Sequence, residues 1–246
     1  MRRRLIRYVL VGVFLLAGIP VRAGGAFAPN IGESLTYRIY LAGFALGEEQ
    51  LHVKASKTPD GKPALLFEVS LDSYPMLFRL LDYHEKRRVL WDPEGAYPLA
   101  EEGTVTQHRA AQTVRIEFRP AQGAILMTST RPGETPNDST LPYVGNTQTN
   151  FTLLYYLRTF PWEKGQYRVP LFTGQRVDWY TFEVEAETRP VRVPYGGSDQ
   201  TYHLFNRELK YDIWFDRGPG RLPLEIRFRA GFGLAQAKLV SAVNFK

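Results

Sequence analysis

Between Glu208 and Arg229 the chain alternates apolar and polar residues with a period of two on both sides of a tight turn. On the way in, Leu209, Tyr211, Ile213 and Phe215 alternate with Lys210, Asp212, Trp214 and Asp216. After Arg217-Gly-Pro-Gly-Arg221, Leu222, Leu224, Ile226 and Phe228 alternate with Glu225, Arg227 and Arg229. A helix cannot use that period, because its neighbours on one face are three and four residues apart. An antiparallel strand pair requires it. Asp216 opens the Gly/Pro turn, where a carboxylate ordinarily bonds its own backbone, so it is read as a turn residue and not as a catalytic acid.

The same pattern recurs at short spacing along the chain. Leu35, Tyr37, Ile39 and Leu41 share one face of an opening strand; Leu51, Val53 and Ala55 continue it, and Pro59-Asp-Gly61 turns the chain into Leu65, Phe67, Val69 and Leu71, which makes a meander. Further strands are expected over 97–106, 112–119, 124–129, 167–173, 177–186, 191–195, 201–206 and 234–245. About a dozen strands and too few helices for parallel crossovers predict a mainly β fold: one long, strongly curved antiparallel sheet, open or closed into a barrel. Pro75–Leu81 is a candidate for a second, short helical turn. Thr130–Asn146, rich in turn formers and without an apolar period, is expected to be a long loop and the best lid candidate.

One segment has helical character. Asn150–Phe160 carries Phe151, Leu153, Leu154, Leu157 and Phe160 around most of its circumference, with Thr149 or Asn150 as N-cap and Pro161 ending it. Thr152, Tyr155 or Tyr156, and Thr159 form a weakly polar stripe. A helix apolar on most sides must be buried. It either plugs the concave side of the sheet or closes a ligand cavity there.

The N-terminus speaks to location. Arg2, Arg3, Arg4 and Arg7 precede the apolar run Tyr8–Ile19, and Val21-Arg22-Ala23 offers a small-residue cleavage site, so residues 1–23 read as a secretory signal peptide and 24–246 as a single exported, periplasmic β-rich domain. The apolar run is short for a membrane span. Those residues hold five arginines and no acid; removing them takes 31 basic residues to 26 against 25 acidic ones, a net of +1 in place of +6. The charge balance therefore gives no argument for a nucleic-acid partner. The chain has no cysteine, which removes disulfides, thiol nucleophiles and thiolate metal sites from consideration.

Chemistry-bearing motifs are scarce. His52, His84, His108 and His203 are not spaced as a metal pair on any one element, no nucleotide or nucleophile-elbow pattern occurs, and no cofactor or metal is expected. Asp82-Tyr-His84-Glu85-Lys-Arg87-Arg88 brings acid, imidazole and guanidinium close together. A strand charged on both faces is either a sheet edge or faces something polar, and an edge explains this one at least cost. Tyr40, Trp179 and Trp214 fall on the polar side of their strands and are candidates for docking a partner or a glycan.

Four stretches resemble, in order, a family of exported bacterial proteins catalogued as domain of unknown function 3108. They are Gly32-Glu33-x-Leu35-x-Tyr37, Asn150-x-Thr152 with Tyr155-Tyr156-Leu157-Arg158, Val191-x-Val193-Pro194-x-Gly196, and Ile213-Trp214-Phe215 with Leu222-Pro223. The resemblance implies a structural framework and no activity. The aromatic-Asp-turn-Leu-Pro hairpin is also similar, more remotely, to that of periplasmic lipoprotein carriers, whose curved sheet holds acyl chains. The leading expectation is a non-enzymatic protein that binds or carries an amphiphilic envelope component in a cavity lined by Tyr37, Phe67, Phe151, Leu154, Tyr155, Leu157 and Ile213. The alternatives are an interaction protein that contacts another envelope protein or a glycan, and a hydrolase built on Asp82, His84, Glu85 and Arg87.

Overall fold

The computed structural model describes residues 29–74, 82–107, 110–185, 189–230 and 233–245. Residues 1–23, Pro75–Leu81 and His108, and the expectations placed on them, lie outside that set.

The alternation is realised as an antiparallel meander. β1 (Ser34–Leu41), β2 (Phe44–Lys57) and β3 (Pro63–Ser73) are followed by β4 (Tyr83–Asp92), β5 (Tyr97–Gln107), β6 (Ala110–Arg119), β7 (Ala124–Thr130) and β8 (Asn137–Pro142). After β9 (Gln148–Thr149) and α1 (Asn150–Arg158) come β10 (Gly165–Phe172), β11 (Val177–Glu185), β12 (Val191–Val193), β13 (Gly196–Ser198), β14 (Thr201–Asn206), β15 (Tyr211–Asp216), β16 (Pro223–Ala230) and β17 (Gly233–Val243). Fifteen of the strands form one sheet, in the order β8-β7-β6-β5-β4-β3-β2-β1-β17-β16-β15-β14-β11-β10-β9, and β12 pairs with β13 apart from it. The sheet is curved and open. β8 and β9 are its two ends, and only the short β9–β10 pairing is parallel.

Burial follows the period of two. Leu35, Tyr37, Leu51, Val53, Phe67, Val69, Val89 and Trp91 face inward from β1–β4, and Leu204, Ile213, Phe215, Leu224 and Leu239 do so from the other half. α1 fills the space between the halves. Thr149 is its N-cap and donates its backbone N–H to Thr152 Oγ1 at 3.0 Å. The helix buries Thr152, Leu153, Tyr155, Tyr156, Leu157 and Arg158. Phe151 and Leu154, expected among the most deeply placed, are only half-buried. The polar stripe thus turns inward, because the hydroxyl of Thr152 is used by the cap and Arg158 finds a partner in the core. The Tyr155 ring stacks on Phe67 with centroids 4.4 Å apart, so helix and sheet are in direct contact here.

That partner is Glu33. Arg158 NH1 and NH2 donate to Glu33 Oε1 and Oε2 at 2.6 and 2.9 Å, and Nε and NH2 also donate to the Gly220 carbonyl at 3.0 and 2.6 Å. Both side chains are fully buried (1% and 0% exposed). Arg221 closes the same knot by donating from NH1 to the Arg158 and Phe160 carbonyls, each at 2.7 Å, at the helix C-terminus. Tyr37 adds a hydrogen bond from its hydroxyl to the Pro223 carbonyl at 2.8 Å. The strand entrance, the helix end and the β15–β16 turn are therefore tied at one point.

Three expectations are corrected. Thr130–Asn146 is not a loop throughout: Asn137–Pro142 pairs with β7 from Ser129↔Asn137 to Ala124↔Pro142, and the segment is the edge of the sheet and not a lid. Its residues are exposed or half-buried on both faces, so an edge strand here has no apolar period to show. Trp214 lies on the polar face as expected but is not free to dock a partner; it is 3% exposed, stacked on His203 at 4.7 Å and covered by the guanidinium groups of Arg189 and Arg227 at 4.8 and 4.7 Å. The charged strand β4 is not an edge, since it lies between β3 and β5.

Candidate functional site

A central strand with charge on both faces needs a polar environment on the concave side, and the register supplies one. Across the inner face, Glu49 lies opposite Leu71, which lies opposite Glu85; Arg87 lies opposite Gly103; Glu101 lies between Val89 and Ile116. Glu49, Glu85, Arg87 and Glu101 occupy positions that the strand period assigns to the core, beside Leu51, Val53, Val89 and Trp91. Glu85, Arg87 and Glu101 line a cleft of about 520 Å³ where the two ends of the curved sheet approach each other, and Glu49 lies behind Glu85 outside its lining. One wall is β4–β8, with Tyr83, Gln112, Ser129 and Asn137. The other is the start of α1 and the β10–β11 turn, with Asn150, Phe151, Phe172 and Gln175. Beside the cleft, Ile116, Phe118, Ile125 and Phe172 form a small second core that joins the ends by packing and not by strand pairing.

The polar groups are ordered around Arg87. Its Nε donates to Glu85 Oε1 at 2.7 Å, its NH1 lies 3.5 Å from Glu101 Oε1, and its guanidinium sits 5.5 Å over the Phe151 ring. Tyr83 donates to the other oxygen of Glu85 at 2.6 Å. Gly103 makes the arrangement possible. A Cβ there would come within 2.4 Å of the Lys86 carbonyl and 2.3 Å of Arg87 Cδ, so the side chain of Arg87 crosses the strand where its neighbour has none. Glu101 is 4% exposed, and its Oε2 makes no hydrogen bond, although the Thr149 hydroxyl lies close by.

Burial dominates the titration of this group. It pushes Glu101 up to about 7, more than Arg87 and Thr149 can offset. Glu49, next to Glu85 on the same face, is pushed up to about 7 by burial and by the negative charge of Glu85. Both carboxyls therefore share their protons with solvent near neutral pH.

A second, apolar pocket of about 130 Å³ adjoins the cleft. It is lined by Ile39, Leu46, Gly47, Leu71, Asp72 and Ser73, and by Tyr83, which belongs to both walls.

The residues anticipated from sequence divide accordingly. Of the cavity set, Phe151 lines the cleft, while Tyr37, Phe67, Tyr155, Leu157 and Ile213 are packed in the main core and Leu154 lies against it. Of the polar set, Glu85 and Arg87 enter the cleft. His84 lies on the other face of β4, 2.7 Å from Asp72 Oδ1 and 3.4 Å from Asp82 Oδ1, with 43% of its side chain exposed. Strand alternation separates His84 from Glu85, so the four residues do not form one site. Glu49, Glu101, Gln112 and Asn137 were not singled out by sequence reasoning. Among the described residues no group of His, Asp and Glu is arranged to hold a metal ion, and no helix is long and apolar enough to cross a membrane.

These features define a class: a curved, open antiparallel β-sheet closed over one helix, with a polar cleft at the seam. The chain belongs to the family described as protein of unknown function (DUF3108), whose model matches residues 36–240. In fold it is similar to the β-barrel-like protein of domain of unknown function DUF1849 from Brucella abortus. The TM-score is 0.59 at 12% identity, over 89% of this chain and 100% of that one. At such identity the likeness is one of fold alone. No curated protein matches the chain. The remoter likeness to periplasmic lipoprotein carriers is not confirmed by these comparisons.

Proposed function

We propose that this chain is a non-enzymatic binding protein of the cell envelope that takes a small amphiphile, with the polar end in the cleft and the apolar end in the adjoining pocket. The observation that carries this reading is the shared wall. Tyr83 separates a cleft lined by carboxylates, a guanidinium and amides from a pocket lined by Ile39, Leu46 and Leu71. Clefts with apolar walls and a few converging polar groups are the ordinary form of a ligand site. The pocket of about 130 Å³ is close to the size of the ~150 Å³ cavities known to take one benzene ring, so it suits an apolar segment of roughly six carbons and not a full acyl chain. Gln112, Asn137, Asn150 and Gln175 offer neutral donors and acceptors to the polar end. The exported location expected from residues 1–23 belongs to the same reading.

A hydrolase gains little support, because His84 and Glu85 point to opposite faces of β4 and Arg87 already engages both Glu85 and Glu101. The test is native mass spectrometry of the full chain purified from its source, set against its denatured mass, followed by Leu46→Glu, which places a charge in the apolar pocket. An excess mass that vanishes on denaturation and on this substitution is expected. A chain that is bare in the native state and binds no octyl-chain amphiphile overturns the proposal.

A further inference from the structure

We infer that the polar end of the ligand is a cation, an ammonium group seated against Glu101 and Glu85; this rests on the amphiphile reading above. The ionisable groups lining the cleft are Tyr83, Glu85, Arg87 and Glu101, with no lysine or histidine among the lining residues. Two carboxylates thus face one guanidinium, and Glu49 stands behind Glu85 as a third acid. Arg87 bonds Glu85, approaches Glu101 and lies over Phe151, so its charge is already balanced by two carboxylates and an incoming anion gains little from it. Oε2 of Glu101 is buried, and among the described residues no group is near it to donate except the Thr149 hydroxyl, a neutral donor that leaves its charge unanswered. A buried acceptor that lacks a donor costs free energy until one arrives, and an ammonium supplies both the hydrogen bond and the charge.

Binding of a cation must then expel protons. The groups facing Glu101 are Arg87 and Glu85 from β4 and the Thr149 hydroxyl from β9. Glu49 faces Glu85 as well as Tyr37, Tyr155 and Tyr211. With Glu101 and Glu49 both sharing protons near pH 7, a cation binds more tightly as pH rises from 5.5 to 8, while an alkylammonium, whose own pKa is near that of lysine at about 10.4, stays charged throughout.

The experiment titrates the full chain by calorimetry with three probes that share one chain length: n-octylammonium, octanoate and octyl glucoside. We expect octylammonium to bind about 10- to 100-fold more tightly than the other two at pH 8, the range a charge-assisted hydrogen bond supplies. We also expect that preference to shrink at pH 5.5 and to disappear in Glu101→Gln, a near-isosteric change that removes the charge and keeps the shape. Equal or tighter binding of octanoate or octyl glucoside overturns the cation while leaving an amphiphile site in place. Binding of none of the three overturns both readings. A preference for octylammonium that survives in Glu101→Gln and is flat with pH also overturns the assignment, since the charge would then be read elsewhere.

Discussion

Remove the carboxylate of Glu33 and the buried Arg158 guanidinium loses its bidentate anion, keeping the Gly220 carbonyl and the face of Tyr155, 5.4 Å away. Both side chains are fully buried and the pairing is bidentate at 2.6 and 2.9 Å, so water cannot take over the lost bonds. Breaking a buried pair of this kind from one side costs about 3–5 kcal/mol, because the remaining charge is uncompensated. For a domain of this size each kcal/mol lowers the melting temperature by about 2–4 °C, so Glu33→Leu or Arg158→Met should lower it by roughly 10 °C. The double variant Glu33→Leu with Arg158→Met should regain most of that loss, because no charge is then left buried. The assay is a double-mutant cycle by urea denaturation followed by circular dichroism. A coupling energy below about 1 kcal/mol, with the single losses simply adding, would mean that the pair is screened or rearranged, and the argument would fail.

Glu101→Gln should also change stability with pH. The folded carboxyl titrates at about 7 against an ordinary 4.5, so the folded state holds the extra proton between those values; its advantage is present below 4.5 and is lost as pH rises through 7. The variant should match the parent near pH 4.5 and exceed it at pH 8 by up to about 3 kcal/mol in chemical denaturation, and a variant weaker at pH 8 would show that Arg87 outweighs burial. Gly103→Ala forces a Cβ into the Lys86 carbonyl and the Arg87 side chain, so it should cost about 1–3 kcal/mol of stability and weaken probe binding together. Stability unchanged on that substitution would contradict the close approach. His84→Ala removes an exposed side chain on the outer face, and both stability (within about 0.5 kcal/mol) and octylammonium affinity should stay as they were.

The strand pattern was legible wherever one face of the sheet is buried and the other wet. The 208–229 alternation became β15 and β16, and Asp216 indeed closes its own turn, accepting the Leu222 N–H at 2.8 Å. The opening meander and the helix limits at Thr149 and Pro161 were likewise readable, because capping and ring geometry act over a few residues. β8 was not, since neither of its faces is covered. Trp214 was placed on the correct side of its strand, but the sequence does not reveal that Arg189, Arg227 and His203 would cover it. The cleft left a trace that went unused: Glu85 and Arg87 share the parity of Val89 and Trp91, and Glu49 that of Leu51 and Val53. Charge on the core side of an inner strand signals a polar hollow. The Glu33–Arg158 pair spans 125 residues and has no local signature beyond both members falling in the stretches that carry the family likeness. Those stretches build the buried knot, and to the cleft they contribute only its helix wall, Asn150 and Phe151.

The pairing of β1 with β17 has a consequence for manufacture. Ser34 lies opposite Val243 and Leu41 opposite Ala235, so the first and last strands are neighbours in the middle of the sheet. Until β17 has left the ribosome, β1 offers a bare hydrogen-bonding edge and the β1–β8 half has nothing to join. The two halves can nucleate separately, yet neither finds its seam before β17 has been made. A stop codon that removed only β17 would thus cut the molecule through its centre. A permuted gene that joined β17 to β1 by a short linker and opened between β8 and β9 should instead form its central ladder early.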